Sequence, residues 1–302
     1  MATVATTVLG RPMADLTRRE VMSLVGSAAV GTAVSHSAPA TAAIAHGHVL
    51  GSTMQQSACR WCFRNMELDE FFHHAKDVGL PAVDLLQEDE WALARQYGLT
   101  CSTGYGGAGT ISEGLNDPSN HSEIVRNLER SLPRAAKEDV PNVIAFFGNR
   151  RGMSNAEGVD NCTNVLRQVA PIAESENVTV VVELLNSRVD HPDYMGDHTA
   201  FGVEVIKRVD SPHVKLLYDI YHMQIMEGNV IQTIRNHHQH IAHYHTAGVP
   251  GRHELDRNQE LNWRTITQAI VDTGFTGYLA HEFIPTRDPK QSLQEAVTLC
   301  SV

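Results

Sequence analysis

Glu183, Asp219, His245 and Glu282 are side chains that can hold a divalent cation or move protons, and each stands at or near the C-terminal end of a short apolar run. The runs are Val178 to Leu185, Val214 to Tyr218, Ile241 to Tyr244 and Gly277 to Ala280, rich in the β-branched and aromatic residues that suit buried parallel strands. Successive members of the set lie 36, 26 and 37 residues apart. That spacing fits one strand plus one crossover helix per step and is far too long for hairpins. One acid at a strand end could simply cap the next helix; four in step point to a shared mouth. Three carboxylates and one imidazole form a hard, mostly oxygen donor set. It favours Mg²⁺ or Mn²⁺, with Co²⁺ as a third candidate, over the thiolate-rich set of structural zinc.

The elements that must position these residues continue into the first half. Gln56 to Ala58, Ala82 to Leu86, Leu99 to Ser102 and Val143 to Phe147 read as four more strands. Leu68 to Val78 and Ser122 to Lys137 read as helices, with starts at Asn65 and Asp117-Pro118-Ser119 and stops at Gly79 and Gly98. Eight strands with crossovers predict an α/β fold, a single (β/α)8 TIM barrel. Every strand end then points at one mouth, where ligands distant in sequence converge. An open doubly wound sheet would spread them along an edge instead.

The chain has 302 residues, and its final 260 or so suit the roughly 250 typical of such a barrel. The expected organisation is a segment over 1–45 followed by the barrel over 46–302. In the first segment Arg18-Arg19 precedes a weakly apolar Val21 to Val34 stretch and then Ala40-Thr41-Ala42, the pattern of a twin-arginine export signal. Export by that route is the expected localisation, with a cytoplasmic protein carrying a disordered tail as the alternative.

Hydrophobic residues make up 42%, and no apolar run reaches the roughly 18 residues of a membrane span. The formal charge of −11, without a basic stripe, counts against a nucleic-acid partner and leaves small molecules. Cys59, Cys62, Cys101, Cys162 and Cys300 show neither a disulfide framework nor a paired zinc pattern, although Cys59-Arg60-Trp61-Cys62 could form a redox pair.

Other motifs fail on context. Gly104 to Gly109 satisfies G-x-G-x-x-G, but a polar stretch follows where a dinucleotide site needs a helix, so a flexible loop over the mouth is expected. His253-Glu254 and His281-Glu282 lack the second histidine of a zinc-protease helix. His237, His238, His240 and His243 read as a solvated face.

At Val182 to Arg188, Leu217 to Gln224, His243 to Gly248 and His281 to Pro285, the chain resembles the hydroxypyruvate isomerase family, a group of xylose-isomerase-like barrels. The likeness runs from about Met54 to Pro289. It takes in Gly114 to Pro118 and Pro250 to Glu254. The resemblance implies that Glu183 and Glu282 are an acid/base pair as well as metal ligands, and that Asp219 and His245 complete the metal site. Some relatives place an amide where His245 stands, and their chemistry is usually cytoplasmic, unlike that of an exported chain.

Interconverting an α-hydroxy ketone and an α-hydroxy aldehyde moves a proton between adjacent carbons through an enediolate. One carboxylate must carry that proton, and a cation must steady the oxygen charge. Three ionised carboxylates and one M²⁺ leave the donor set at about −1, so an anionic substrate needs a further cation. Arg188 and Arg252 are candidates, unless they pair with Asp190, Glu254 or Asp256. His222 would bond a substrate hydroxyl or stay packed in its loop.

The leading expectation is an isomerase acting on hydroxypyruvate and 2-hydroxy-3-oxopropanoate. The alternatives are a keto-sugar 3-epimerase on the same barrel, a metal-dependent abasic-site endonuclease, and a non-catalytic exported sugar-binding protein. Analogy with other barrels suggests a homo-oligomer.

Overall fold

A computed structural model describes residues 54–302, preceded only by Thr7–Val8 paired antiparallel with Arg11–Pro12. The export-signal expectation at Arg18-Arg19 and the boundary near residue 45 lie outside the described residues.

Eight parallel strands alternate with helices. They are β1 (Gln55–Ala58), β2 (Ala82–Val83), β3 in two pieces (Thr100–Cys101 and Gly104–Ala108), β4 (Asn142–Phe146), β5 (Thr179–Leu184), β6 (Val214–Asp219), β7 (Ile241–Thr246) and β8 (Tyr278–His281). One sheet runs β1-β8-β7-β6-β5-β4-β3, and the first piece of β3 pairs with β2. Parallel bridges Cys59 to Asp84 and Leu86 to Gly104 join these sheets, so the ring closes and no long edge is left open. This is the expected single (β/α)8 barrel.

The crossover helices follow in order as α1 (Leu68–Asp77), α2 (Trp91–Gln96), α3 (His121–Lys137), α4 (Asn155–Glu176) and α5 (Thr199–Val209). After β6 come the short α6 (Ile220–Met226) and α7 (Val230–His237), and then α8 (Trp263–Val271) and α9 (Pro289–Cys300). In α3 the buried Ile124, Leu128, Leu132 and Ala135 recur at three- and four-residue spacing and face the sheet. On its outer face, Arg130 and Arg134 both reach Glu88 at 2.8 Å. Asp117 accepts from Ser119 N to begin the turn into α3, as the sequence suggests, whereas α1 is preceded by Glu67 rather than Asn65. Gly79 and Gly98 adopt φ of +84° and +72° just beyond α1 and α2, where a residue with a Cβ would be strained.

Two expectations are corrected. Gly104 to Ala108 is a strand paired with β4, not a loop over the mouth. Its glycines are there because neighbours press against the backbone. A Cβ on Gly104 would lie 2.5 Å from the Trp91 indole, and one on Gly106 would lie 2.5 Å from Val143. His243 does not share a solvated face with His237, His238 and His240. It is fully buried, because it stands two residues before His245 and so points to the same interior side of β7. No helix among the described residues is long and apolar enough to cross a membrane.

Trp91 is pinned, with its indole N–H donating to Leu86 O at 3.2 Å. Gly104→Ala should therefore lower stability by about 1–3 kcal/mol through overpacking. Urea denaturation measures this, and an unchanged midpoint would show that the indole has room to move.

Candidate metal and proton-transfer site

Strand register brings the predicted residues together. Asp219 stands directly opposite His245 across β6 and β7, and Glu282 donates its backbone N–H to Thr246 O at 2.9 Å, one step past that pair. Glu183 pairs with Phe146 and Leu217 in the neighbouring strands, and its carbonyl accepts from Tyr194 Oη at 2.9 Å. One ligand atom from each of Glu183, Asp219, His245 and Glu282 falls within 4.8 Å of the others, and all four residues are buried.

Both roles open to Asp219 are realised at once. Its Oδ1 accepts from His222 N at 3.2 Å to cap α6, while Oδ2 faces the cluster. His245 turns Nδ1 inward, 3.4 Å from Glu183 Oε1 and 2.8 Å from Glu282 Oε2. Neither that Nδ1 nor Glu183 Oε1 has a hydrogen bond of acceptable geometry, although both are buried. Burial lowers the pKa of the His245 ring, but Glu282 outweighs it and raises it, so Nδ1 stands as a protonated counter-charge to both glutamates. A divalent cation could take that place and also satisfy the unbonded Glu183 oxygen. The residues therefore fit a divalent ion with oxygen and imidazole ligands.

Arg252 sits beside this cluster and is mostly buried. Its Nη2 donates to Glu282 Oε2 at 2.5 Å and to Asp219 Oδ2 at 3.3 Å, and its Nη1 lies 3.0 Å from His222 Nε2. Neither Glu254 nor Asp256 is its partner. The guanidinium is sandwiched between the Trp61 and Tyr221 rings, 5.1 Å from each centroid. Trp61 Nε1 also donates to Glu282 Oε1 at 2.7 Å. Sequence reasoning missed Trp61, because the contact joins residues 221 positions apart. Arg188, expected near substrate, is exposed and donates to Ile225 O at 2.9 Å instead.

The electrostatics split the two glutamates. Burial pushes the Glu183 carboxyl above its ordinary range, with His245 opposing and the Glu282 charge adding. At Glu282 burial acts the same way, but Arg252 and His245 outweigh it and hold that carboxyl well below the usual range. Burial raises Asp219 too, against Arg252. His222 is fully buried, its Nδ1 is met by Asn186 N at 3.2 Å and Asn186 Nδ2 at 2.6 Å, and burial with Arg252 keeps the ring neutral. It is packed, with Nε2 turned toward Asp219 at 3.5 Å.

A cavity of about 550 Å³ is lined by Tyr105, Ile111, Phe146, Asn149, His191 and Pro192; Phe146 pairs with Glu183 in the adjacent strand, and the His191 ring lies 5.4 Å from that of His222. All five cysteines are free, and burial raises the thiols of Cys59 and Cys62, so that motif is not the activated pair a redox role needs.

The profile of the xylose isomerase-like TIM barrel family matches residues 66–300. A Danio rerio protein provisionally named hydroxypyruvate isomerase is 31% identical over 182 residues, 59% of this chain and 66% of its own length. A 2-oxo-tetronate isomerase of Cupriavidus necator is 34% identical over 116 residues, 38% of this chain and 44% of its own. The chain thus spans two thirds or less of these two curated relatives. A crystal structure described as an AP endonuclease, family 2, from Brucella melitensis superposes with a TM-score of 0.73 at 26% identity, covering 80% of this chain and 97% of that one.

The loop that carries Arg252 is anchored by Glu254, whose carboxylate accepts from Thr286 N and Oγ1 at 2.8 Å and from Ser292 Oγ at 3.0 Å. Burial opposes ionisation there, but these bonds lower the pKa from 4.5 to about 2. The stabilisation is complete above pH 4.5 and is lost as pH falls toward 2. Glu254→Gln should thus lose about 1–3 kcal/mol at pH 7, a deficit that shrinks between pH 4.5 and 3. Urea midpoints across that range check this, and a constant deficit would contradict it.

Proposed function

The chain belongs to the xylose isomerase-like TIM barrel family, and from that premise we propose that it is an isomerase of α-hydroxy carbonyl compounds. Our specific reading is the interconversion of hydroxypyruvate and 2-hydroxy-3-oxopropanoate. One observation carries it: a buried Glu183 Oε1 without a hydrogen bond faces His245 Nδ1 at 3.4 Å in a cluster that also holds Asp219 and Glu282. The names of the Danio rerio and Cupriavidus necator relatives support the reaction type.

A divalent ion held by Glu183, Asp219, His245 and Glu282 would supply the positive charge that steadies the enediolate oxygens; Mg²⁺ or Mn²⁺ suits the donor set best. The chain's own side chains divide the remaining work. Glu183 has the raised carboxyl and the unpaired oxygen, so it takes the carbon-bound proton and returns it to the adjacent carbon. Glu282 is pinned by Trp61 and Arg252 and stays ionised. This split matches the general pattern in which environment drives two nearby carboxyls to different roles. Arg252, not Arg188, is the cation within reach of a substrate carboxylate, and its planar fork suits that pairing. His222, neutral and with both ring nitrogens already engaged, holds Arg252 and Asp219 in place rather than a substrate hydroxyl.

The cavity of about 550 Å³ favours a second reading, because it exceeds the needs of a three-carbon acid. A keto-sugar 3-epimerase would lay its longer carbon chain there and use both glutamates on opposite faces of one carbon. The name on the Brucella melitensis neighbour does not extend to this chain. A net charge of −11 repels a DNA backbone, which must be gripped through its phosphates.

The full chain, stripped of metal and resupplied with Mg²⁺ or Mn²⁺, should turn over hydroxypyruvate only when resupplied. Glu183→Gln and Glu282→Gln should each reduce kcat by about 10²–10⁴-fold. Turnover of neutral ketohexoses without hydroxypyruvate would decide for the epimerase. Metal-independent turnover would sink both.

A further inference from the structure

Resting on the metal reading above, we propose that Asp84 is a positioning residue that fixes which nitrogen of His245 is offered to the ion. Asp84 follows β2 deep inside the barrel, is fully buried, and touches none of the other three ligand residues by hydrogen bond. Its backbone is locked between strands, with N donating to Ala58 O at 2.8 Å and O accepting from Arg60 N at 2.9 Å.

Four groups surround the carboxylate. His245 Nε2 lies 2.9 Å away and His243 Nε2 3.3 Å, Cys59 Sγ donates to Oδ2 at 3.4 Å, and Ser102 Oγ donates to Oδ1. Ser102 Oγ is also 2.8 Å from Ser57 Oγ. An ionised carboxylate only accepts, and it has about four lone-pair sites. All four neighbours must therefore present a hydrogen. Asp84 thereby keeps a proton on His245 Nε2 and turns Nδ1 toward Glu183 and Glu282, 3.4 and 2.8 Å away. Burial opposes a charge on the ring, but Glu282 outweighs it and raises the pKa, so without an ion Nδ1 is protonated too and a bound ion would take the place of that second proton.

Asparagine at this position is nearly isosteric but carries donors. An Nδ2 facing His245 would make Nε2 the acceptor, so the proton that stays on the neutral ring would sit on Nδ1, where it would block coordination. A carboxylate behind a metal-bound histidine typically contributes 10–100-fold in metal affinity.

The test uses the full chain, metal-stripped, wild type and Asp84→Asn. Mn²⁺ and Zn²⁺ affinity and stoichiometry are measured by calorimetry, and the tautomer of the neutral His245 ring by ¹⁵N imidazole NMR without metal, at a pH high enough to remove the second ring proton. We expect one ion per wild-type chain, an affinity about 10–100-fold lower in the variant with folding retained by circular dichroism, and a proton moved from Nε2 to Nδ1. Should Asp84→Asn fail to fold, Ser102→Ala, which removes one donor anchoring Oδ1, should give a smaller loss of the same sign. Unchanged affinity and tautomer would overturn the proposal. So would two Zn²⁺ per chain with the second lost in Cys59→Ser, because Cys59, Asp84 and His245 would then be a ligand set of their own. A wild type that takes up no ion would overturn the metal reading, while the tautomer still decides the part played by Asp84.

Discussion

Four carboxylates, those of Asp84, Glu183, Asp219 and Glu282, are buried at one end of the barrel, and the surrounding structure is arranged to make that tolerable. Two like charges about 4 Å apart repel by roughly 4 kcal/mol at an effective dielectric of 20, before any desolvation is counted. The protein meets this in two layers. Asp84 is saturated by four donors, His245 among them, and the other three gather around His245 and Arg252. Glu183 Oε1 in that upper layer is still without a hydrogen bond, and His245 Nδ1 is held only by its charge 2.8 Å from Glu282 Oε2. A divalent cation would answer both the charge and the missing bond.

The loops around the mouth follow from the same need. Arg252 adopts φ +58°, an uncommon conformation for a residue with a side chain, costing about 1–3 kcal/mol. Its backbone is held on both sides, with N donating to Gly248 O at 2.9 Å and O accepting from Ile284 N at 2.7 Å. Glu254 ties this segment to the loop after β8, while Trp61 and Tyr221 close over the guanidinium. Strands β1, β6, β7 and β8 thus cooperate to keep one cation against two carboxylates. The closed ring of strands provides that convergence, since the carriers of these groups are far apart along the chain.

The barrel and its four converging side chains could be read from the sequence because each ends an apolar run long enough to be a strand. The spacing between runs then forced crossovers. What escaped had no such period. Asp84 lies within an apolar stretch read wholly as strand, and its one signal was an ionisable residue among Ala82, Val83, Leu85 and Leu86. His243 was grouped with nearby surface histidines, although its two-residue offset from His245 assigns it to the interior. The glycines of Gly104 to Ala108 look like a loop in sequence, yet they serve close approach of Trp91 and Val143 to a strand. Trp61 and Arg252 act through contacts that no local pattern encodes, whereas Arg188, equally plausible by position, points to Ile225 O.

The central claim is that Glu183, Asp219, His245 and Glu282 form one divalent-metal site. Crystals grown with Mn²⁺ and measured for anomalous scattering test it most directly. The account predicts one strong peak within bonding distance of all three carboxylates and of His245 Nδ1, with Nε2 still directed at Asp84. A cluster without a peak in crystals that hold Mn²⁺ elsewhere, or a peak bound through Nε2, would contradict it.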